Sequence, residues 1–162
     1  MESVEQWKTC PMIFGVGVDL VEIARIEDSF RKFPGRFEQK IFTEVERAYC
    51  SRMPIPAQHY AARFAAKEAC LKALGTGKAR GIGWRDIGIV NLDSGQPVLV
   101  ITGRAREIGD ACHITAAHVS LSHTRGHSMA AVVLECADGD SPADALNQEA
   151  ARTIARLQNP AG

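Results

Sequence analysis

Apolar positions first become regular just after Met12, where Ile13-Phe-Gly-Val-Gly-Val-Asp19 carries the two-residue period of a β-strand. Val16, Val18 and Leu20 fall on one face; Ile13, Gly15, Gly17 and Asp19 fall on the other. The period then lengthens, and Ile23, Ile26 and Phe30 share one face of a helix predicted from Val21 to Lys32. Pro34-Gly35 ends it. Thr43-Glu-Val-Glu46 is a capping-box pattern that starts a short helix over Glu44 to Arg52. Beyond the loop Met53-Pro-Ile-Pro56, the longest helical pattern runs from about Ala57 to Leu74. Gly75 and Gly77 stand where a left-handed C-cap and a turn belong. Strands over Asp86–Leu92 and Pro97–Thr102 are joined by Asp93-Ser-Gly-Gln96, and Gly103 to Ala111 is helical. Ala117–His123 and Ser128–Leu134 are two more strands, on either side of Thr124–His127. With neither βαβ regularity nor an internal repeat, the pattern predicts an α+β domain, a mainly antiparallel sheet with one long buried helix.

That helix is unusual on its wheel. At about 100° per residue, Tyr60, Phe64 and Leu71 form a narrow stripe, flanked by Glu68 and Lys72 on one side and by Arg63 and Lys67 on the other. Ala61, Ala62, Ala65, Ala66, Ala69, Cys70 and Ala73 fill much of the rest. Small residues nearly all round predict a helix packed on most sides, where unpaired charges are costly. The two glycines beside Asp19 either leave room for a ligand at that carboxylate or admit a close backbone neighbour.

Composition narrows the function classes. The 162 residues suit one domain that buries about 70% of the surface its unfolded chain exposes. With 19 basic and 19 acidic residues, there is no global basic footprint for nucleic acid. No apolar run is long enough to span a membrane, and Glu2 and Glu5 do not suit a signal segment. The cysteines at 10, 50, 70, 112 and 136 are odd in number, with no C-x-x-C, and read as reduced thiols. The expectation is a cytoplasmic, membrane-free protein. Residues 1–11 read as an N-terminal extension, 12–136 as the domain, and 137–162 as a linker and C-terminal helical extension. In that extension, Ser141-Pro142 starts a helix striped by Leu146, Ala150, Ile154 and Leu157.

Two phosphate signatures fail. Gly77-Lys78 lacks the first glycine and the Ser/Thr of a P-loop, and Gly15-Val-Gly17 lacks the third glycine of a dinucleotide fingerprint. The five histidines have no acidic or cysteine neighbour at metal-ligand spacing, and Ser120 and Ser122 lack a nucleophile context. The carboxylates Asp19 and Glu68 fare better. Two carboxylates from distant segments suit Mg²⁺, which takes one or two of them plus waters and phosphate oxygens. Arg63, Lys67, Lys72 and the N–H groups around Gly75–Gly77 are then candidate phosphate contacts.

Three blocks in this order resemble the holo-acyl-carrier-protein synthase family of phosphopantetheinyl transferases. They are Gly15-Val-Gly-Val-Asp-Leu-Val-Glu-Ile-Ala-Arg-Ile26, Arg63-Phe-Ala-Ala-Lys-Glu-Ala-Cys-Leu-Lys-Ala-Leu-Gly-Thr-Gly77 and His118-Val-Ser-Leu-Ser-His-Thr124. The likeness spans about Met12 to Glu135. It implies transfer of 4′-phosphopantetheine from coenzyme A to a serine of an apo-acyl carrier protein, with release of adenosine 3′,5′-bisphosphate. It further implies that Asp19 and Glu68 hold Mg²⁺ and that Lys72 neutralises phosphate charge. Arg63, Lys67 and the turn Gly75-Thr76-Gly77 are implied to line the nucleotide site. The same resemblance implies a homotrimer, with His123 supplied by a neighbouring subunit and Arg25 docking the acidic carrier. A non-catalytic coenzyme A or carrier-binding module is the competing class, and the intact charges of the three blocks stand against it.

Overall fold

A computed structural model describes residues 12–136 and 151–156. The extension expected at 1–11 lies outside the described residues, as does the 137–162 segment apart from 151–156, which are helical. Within residues 12–136, five strands and five α-helices succeed one another as β1 (Met12–Glu22), α1 (Ile23–Lys32), α2 (Arg36–Ile41), α3 (Glu44–Cys50), α4 (Pro56–Ala73), β2 (Ile87–Asn91), β3 (Pro97–Ile101), α5 (Gly103–Ala111), β4 (Ile114–His123) and β5 (His127–Cys136). The strands form a three-stranded antiparallel sheet ordered β1-β5-β4 and a separate β2-β3 hairpin. The fold is α+β, with α4 against the larger sheet.

β1 runs to Glu22, so α1 begins two residues later than its apolar period predicts. Val21 and Glu22 stay in the ladder, opposite Ser128 and His127. The register shifts between Ile13 and Gly15, which takes Ile13 off the glycine face and leaves it exposed. Val16, Val18 and Leu20 also point outward, at 58%, 49% and 60% exposed. The glycine face is the buried one, because α4 lies directly on it. A Cβ on Gly17 would overlap the Ala69 carbonyl oxygen and sit 2.8 Å from its carbon; one on Gly15 would overlap the Ala73 carbonyl oxygen. Of the two readings of those glycines, close backbone approach is the one the fold adopts.

Small residues serve the same purpose on the helix. Ala61, Ala65, Ala66, Ala69 and Cys70 have no exposed surface, so α4 lies close to Ala130, Val132 and Leu134 of β5. Pro56 occupies the first turn of α4, where its missing N–H costs nothing. The other end is a Schellman motif: Gly75 N donates to Lys72 O at 3.0 Å and Thr76 N to Leu71 O at 3.3 Å, with Gly75 at φ 70°. An aromatic cluster joins α1, α2 and α4, with Tyr60 5.0 Å from Phe30 and 4.8 Å from Phe42 between ring centroids. Cys50 and Cys70 are buried, and burial pushes both thiols up to about 12, which keeps them protonated.

Candidate active site

Phe64, Glu68 and Lys72 recur every four residues and make one flank of α4. β1 places Asp19 beside that flank. Lys72 Nζ donates to Asp19 Oδ1 and to the Val18 carbonyl, both at 2.9 Å. Glu68 is half-buried. Burial first, then the charge on Asp19, pushes its carboxyl above the ordinary value, while Lys72, Lys78 and Arg25 pull it back. Two carboxylates thus share a partly desolvated place with three cations around them.

The aromatic floor of this flank extends from Phe64 to Trp84, with ring centroids 5.1 Å apart. The Arg25 guanidinium lies 5.9 Å from the Phe64 ring centroid, and Lys78 Nζ lies 3.7 Å from that of Trp84. Burial, and then the charge of Lys40, pull Lys78 below the ordinary lysine value. Gly77 adopts a φ of 53°, and Thr76 is buried beside it. Lys78 and Trp84 are site residues the sequence reading passed over. The only signal for Lys78 was the Gly/basic character of 78–83, and Trp84 had none.

Asp19 and Glu68 repel each other and want a positive partner. Among the described residues no group of three or more His, Cys, Asp or Glu side chains could enclose a metal. Two carboxylates with open surroundings fit Mg²⁺, a cation that keeps most of its waters.

Arg63 and Lys67 occupy the opposite flank. Lys67 has no exposed side-chain surface. Its Nζ donates to Glu46 Oε2 at 2.8 Å, to Trp84 O at 3.2 Å and to Ile87 O, which engages all three of its N–H groups. Lys67 therefore does not line an open nucleotide site, contrary to the sequence expectation. A rotation of about 100° per residue separates it from Glu68. Its true partner, Glu46, also caps α3 at Thr43 N and accepts from Ile89 N at 3.1 Å. The capping box marked Glu46 in the sequence, but nothing at that spacing joined it to Lys67.

Arg63 is 1% exposed and leans on Tyr49, its guanidinium carbon 4.2 Å from the ring centroid. It donates to Asn91 Oδ1 and to the His59 carbonyl. His123, at the end of β4, belongs to this flank too: its ring centroid is 6.4 Å from that of His59. Both rings line a cleft of about 280 Å³ with Arg63, Tyr49 and Asn91. Within one chain, then, Asp19, Glu68, Lys72 and Arg25 come together, while Arg63 and His123 gather on the far side of α4.

Comparison with known proteins follows the same outline. Residues 15–132 match the model of the 4′-phosphopantetheinyl transferase superfamily. The chain is 47% identical over 128 residues to the holo-[acyl-carrier-protein] synthase of Methylorubrum extorquens, covering 76% of this chain and 94% of that protein. The crystal structure of the synthase from Neisseria meningitidis superposes with a TM-score of 0.71 at 32% identity, over 76% of this chain and 98% of that one. The synthase from Bacillus anthracis, solved in complex with CoA (3′,5′-ADP), gives 0.64 at 35% identity, over 78% and 99%. The matched span contains most of β1, part of β5 and every residue of the two flanks of α4, so the chain belongs to the 4′-phosphopantetheinyl transferase superfamily.

Proposed function

We propose that this chain is a holo-acyl-carrier-protein synthase. It transfers 4′-phosphopantetheine from coenzyme A to a serine of an apo-acyl carrier protein and releases adenosine 3′,5′-bisphosphate. The observation that carries the reading is the Asp19–Lys72–Glu68 cluster, set on the α4 flank of a member of this superfamily.

The reaction makes a bond from the serine oxygen to the pantetheine-side phosphorus of the diphosphate. It breaks the bond from that phosphorus to the bridging oxygen, and the hydroxyl proton is lost. No covalent enzyme intermediate is required, so alignment and charge neutralisation are the protein's share. Asp19 and Glu68 hold Mg²⁺, which when bound offsets the diphosphate charge. Lys72 adds an ammonium at the same place, half-exposed and 2.9 Å from Asp19. Gly75-Thr76-Gly77 and Lys78 border the nucleotide. Arg25, exposed at the rim, faces the acidic carrier.

The proposed assembly is a homotrimer, a reading the separation of the two flanks supports. His123 and Asp19 lie on opposite sides of α4, so His123 serves a neighbour's Asp19 and Glu68. The outward face of the larger sheet supports this, since Val16, Val18, Leu20 and Met129 are exposed there. No described helix is long and apolar enough to cross a membrane, and the proposed setting is the cytoplasm.

Incubation with coenzyme A, Mg²⁺ and apo-acyl carrier protein is expected to add the mass of phosphopantetheine to the carrier. Asp19→Asn and Glu68→Gln are each expected to lower turnover at least ~100-fold with unchanged folding. An unmodified carrier would overturn the function, and near-normal turnover in either variant would remove its metal role.

A further inference from the structure

The β2–β3 hairpin is apolar on both faces. Ile87, Ile89 and Leu99 point into the main core, while Gly88, Val90, Leu92, Val98 and Val100 fall on the other side. A lone two-stranded hairpin is marginal in water, so each apolar face needs a cover. Val90, Leu92 and Val98 are indeed buried, and Leu92, Val98 and Val100 form a small cluster apart from the main core. Residues 151–156 stand against this outer face. Thr153 is buried. Ile154 lines one cavity with Gly88, Val90 and Val100, and a second, of about 180 Å³, with Leu99, Val100 and Ile101. At the hairpin turn, Arg156 donates to Asp93 Oδ1 at 2.7 Å. Residues 151–156 lie beyond the span 15–132 that matches the superfamily model, so this cover belongs to the part of the chain outside the family match.

The same hairpin forms a wall of the Arg63 cleft. Asn91, the last residue of β2, accepts from the Arg63 guanidinium through Oδ1 and donates from Nδ2 to the Gly95 carbonyl at 3.0 Å. Asn91, Gly95 and Pro97 line the cleft with Arg63 and His123. A guanidinium holds its donors in a rigid fork, so its orientation follows its acceptors. A hairpin that shifts carries Asn91 with it and turns the fork. Resting on the function proposed above, with the Arg63 flank as a wall of the coenzyme A site, we infer that Ile154 is a positioning residue for coenzyme A. Residues 151–156 act as a strap across the outer face of the hairpin, anchored by Ile154, and the strap keeps Asn91 where it orients Arg63. The Arg156–Asp93 pair is exposed on both sides and sets the direction of the strap more than its strength.

The test uses the full chain with coenzyme A as the probe. Hydrogen exchange, calorimetric binding and steady-state transfer are measured on wild type, Ile154→Asp, Ile154→Ala, Asn91→Ala and the double variant Ile154→Asp/Asn91→Ala. Ile154→Asp is expected to speed exchange at least about 10-fold in β2 and β3, while α4 and β5 keep their protection. It is expected to raise the coenzyme A Kd and KM about fivefold with kcat kept. Ile154→Ala is expected to show the same pattern at about twofold, which covers the case of an unstable aspartate variant. Asn91→Ala is expected to match the fivefold loss, and adding Ile154→Asp to it is expected to cost less than about twofold more, because both act on one guanidinium. Unchanged exchange in the hairpin would overturn the inference. Faster exchange with unchanged KM would make Ile154 merely structural, and additive losses would show that it does not act through Asn91; either result overturns the inference too. Binding that weakens in the expected pattern, with no transfer by the wild type, would leave this inference standing and overturn the function instead.

Discussion

Glu46 has no exposed surface, yet each of its carboxylate oxygens is occupied. Oε2 accepts from Thr43 N and Lys67 Nζ, both at 2.8 Å, and Oε1 accepts from Ile89 N. One side chain thereby ties α3, α4 and β2 together. Burial pulls Lys67 below the ordinary lysine value, and the charge and hydrogen bond of Glu46 work against that. Desolvating such a pair takes back much of its attraction, but removing one member leaves a charge buried without compensation. Glu46→Gln is therefore expected to destabilise the fold by about 3–5 kcal/mol, read as a lower urea midpoint with an unchanged slope. A loss below about 1 kcal/mol, the range of exposed pairs, would mean the pair is open to water.

At the scale of elements, the site depends on how closely β1 meets α4. Gly15 and Gly17 let the helix backbone rest on the strand, and this brings Lys72 within 2.9 Å of Asp19. Gly17→Ala puts a methyl group into the Ala69 carbonyl, which belongs to rigid helix backbone and cannot turn aside as a side chain would. Overpacking of this kind costs about 1–3 kcal/mol. The variant is expected to lose that much stability and, because α4 shifts relative to Asp19, to lose more activity than its unfolded fraction explains. Activity that simply follows the folded fraction would show that the strand-to-helix distance does not set the site.

At the scale of the whole molecule, α4 separates two sets of residues that one chemistry needs together. In the proposed homotrimer, the Asp19 flank of one chain would meet the His123 flank of the next. Asp19→Asn and His123→Ala, each impaired alone, are then expected to complement when their subunits are exchanged. Random mixing in equal amounts leaves about one quarter of the clefts with both residues intact, so activity is expected to rise toward about a quarter of wild type. No rise after exchange shown by mass spectrometry would place both residues in one chain's site, or His123 outside it.

Much of this was readable along the chain. Periods of two and of 3.6 residues report local backbone state, so β1, α4 and the capping box of α3 were legible, as was the glycine stop at Gly75. The α+β class and the family resemblance followed from the order of such segments and of the three motif blocks. The proximity of Asp19 and Glu68 was also anticipated, since both stand in those blocks. Period alone does not say what covers a face. The alternation of β1 has an apolar face and a glycine face, and only the docking of α4 made the glycine face the buried one. Likewise Arg63, Lys67, Glu68 and Lys72 were four charges on one helix until contacts over long sequence separations sorted them. Lys67 went to Glu46, Lys72 to Asp19, and Arg63 to a cleft whose histidines lie at positions 59 and 123. Local sequence determines which way a side chain leaves its own helix or strand; the tertiary structure decides what it meets there, because the partners come from segments far apart along the chain.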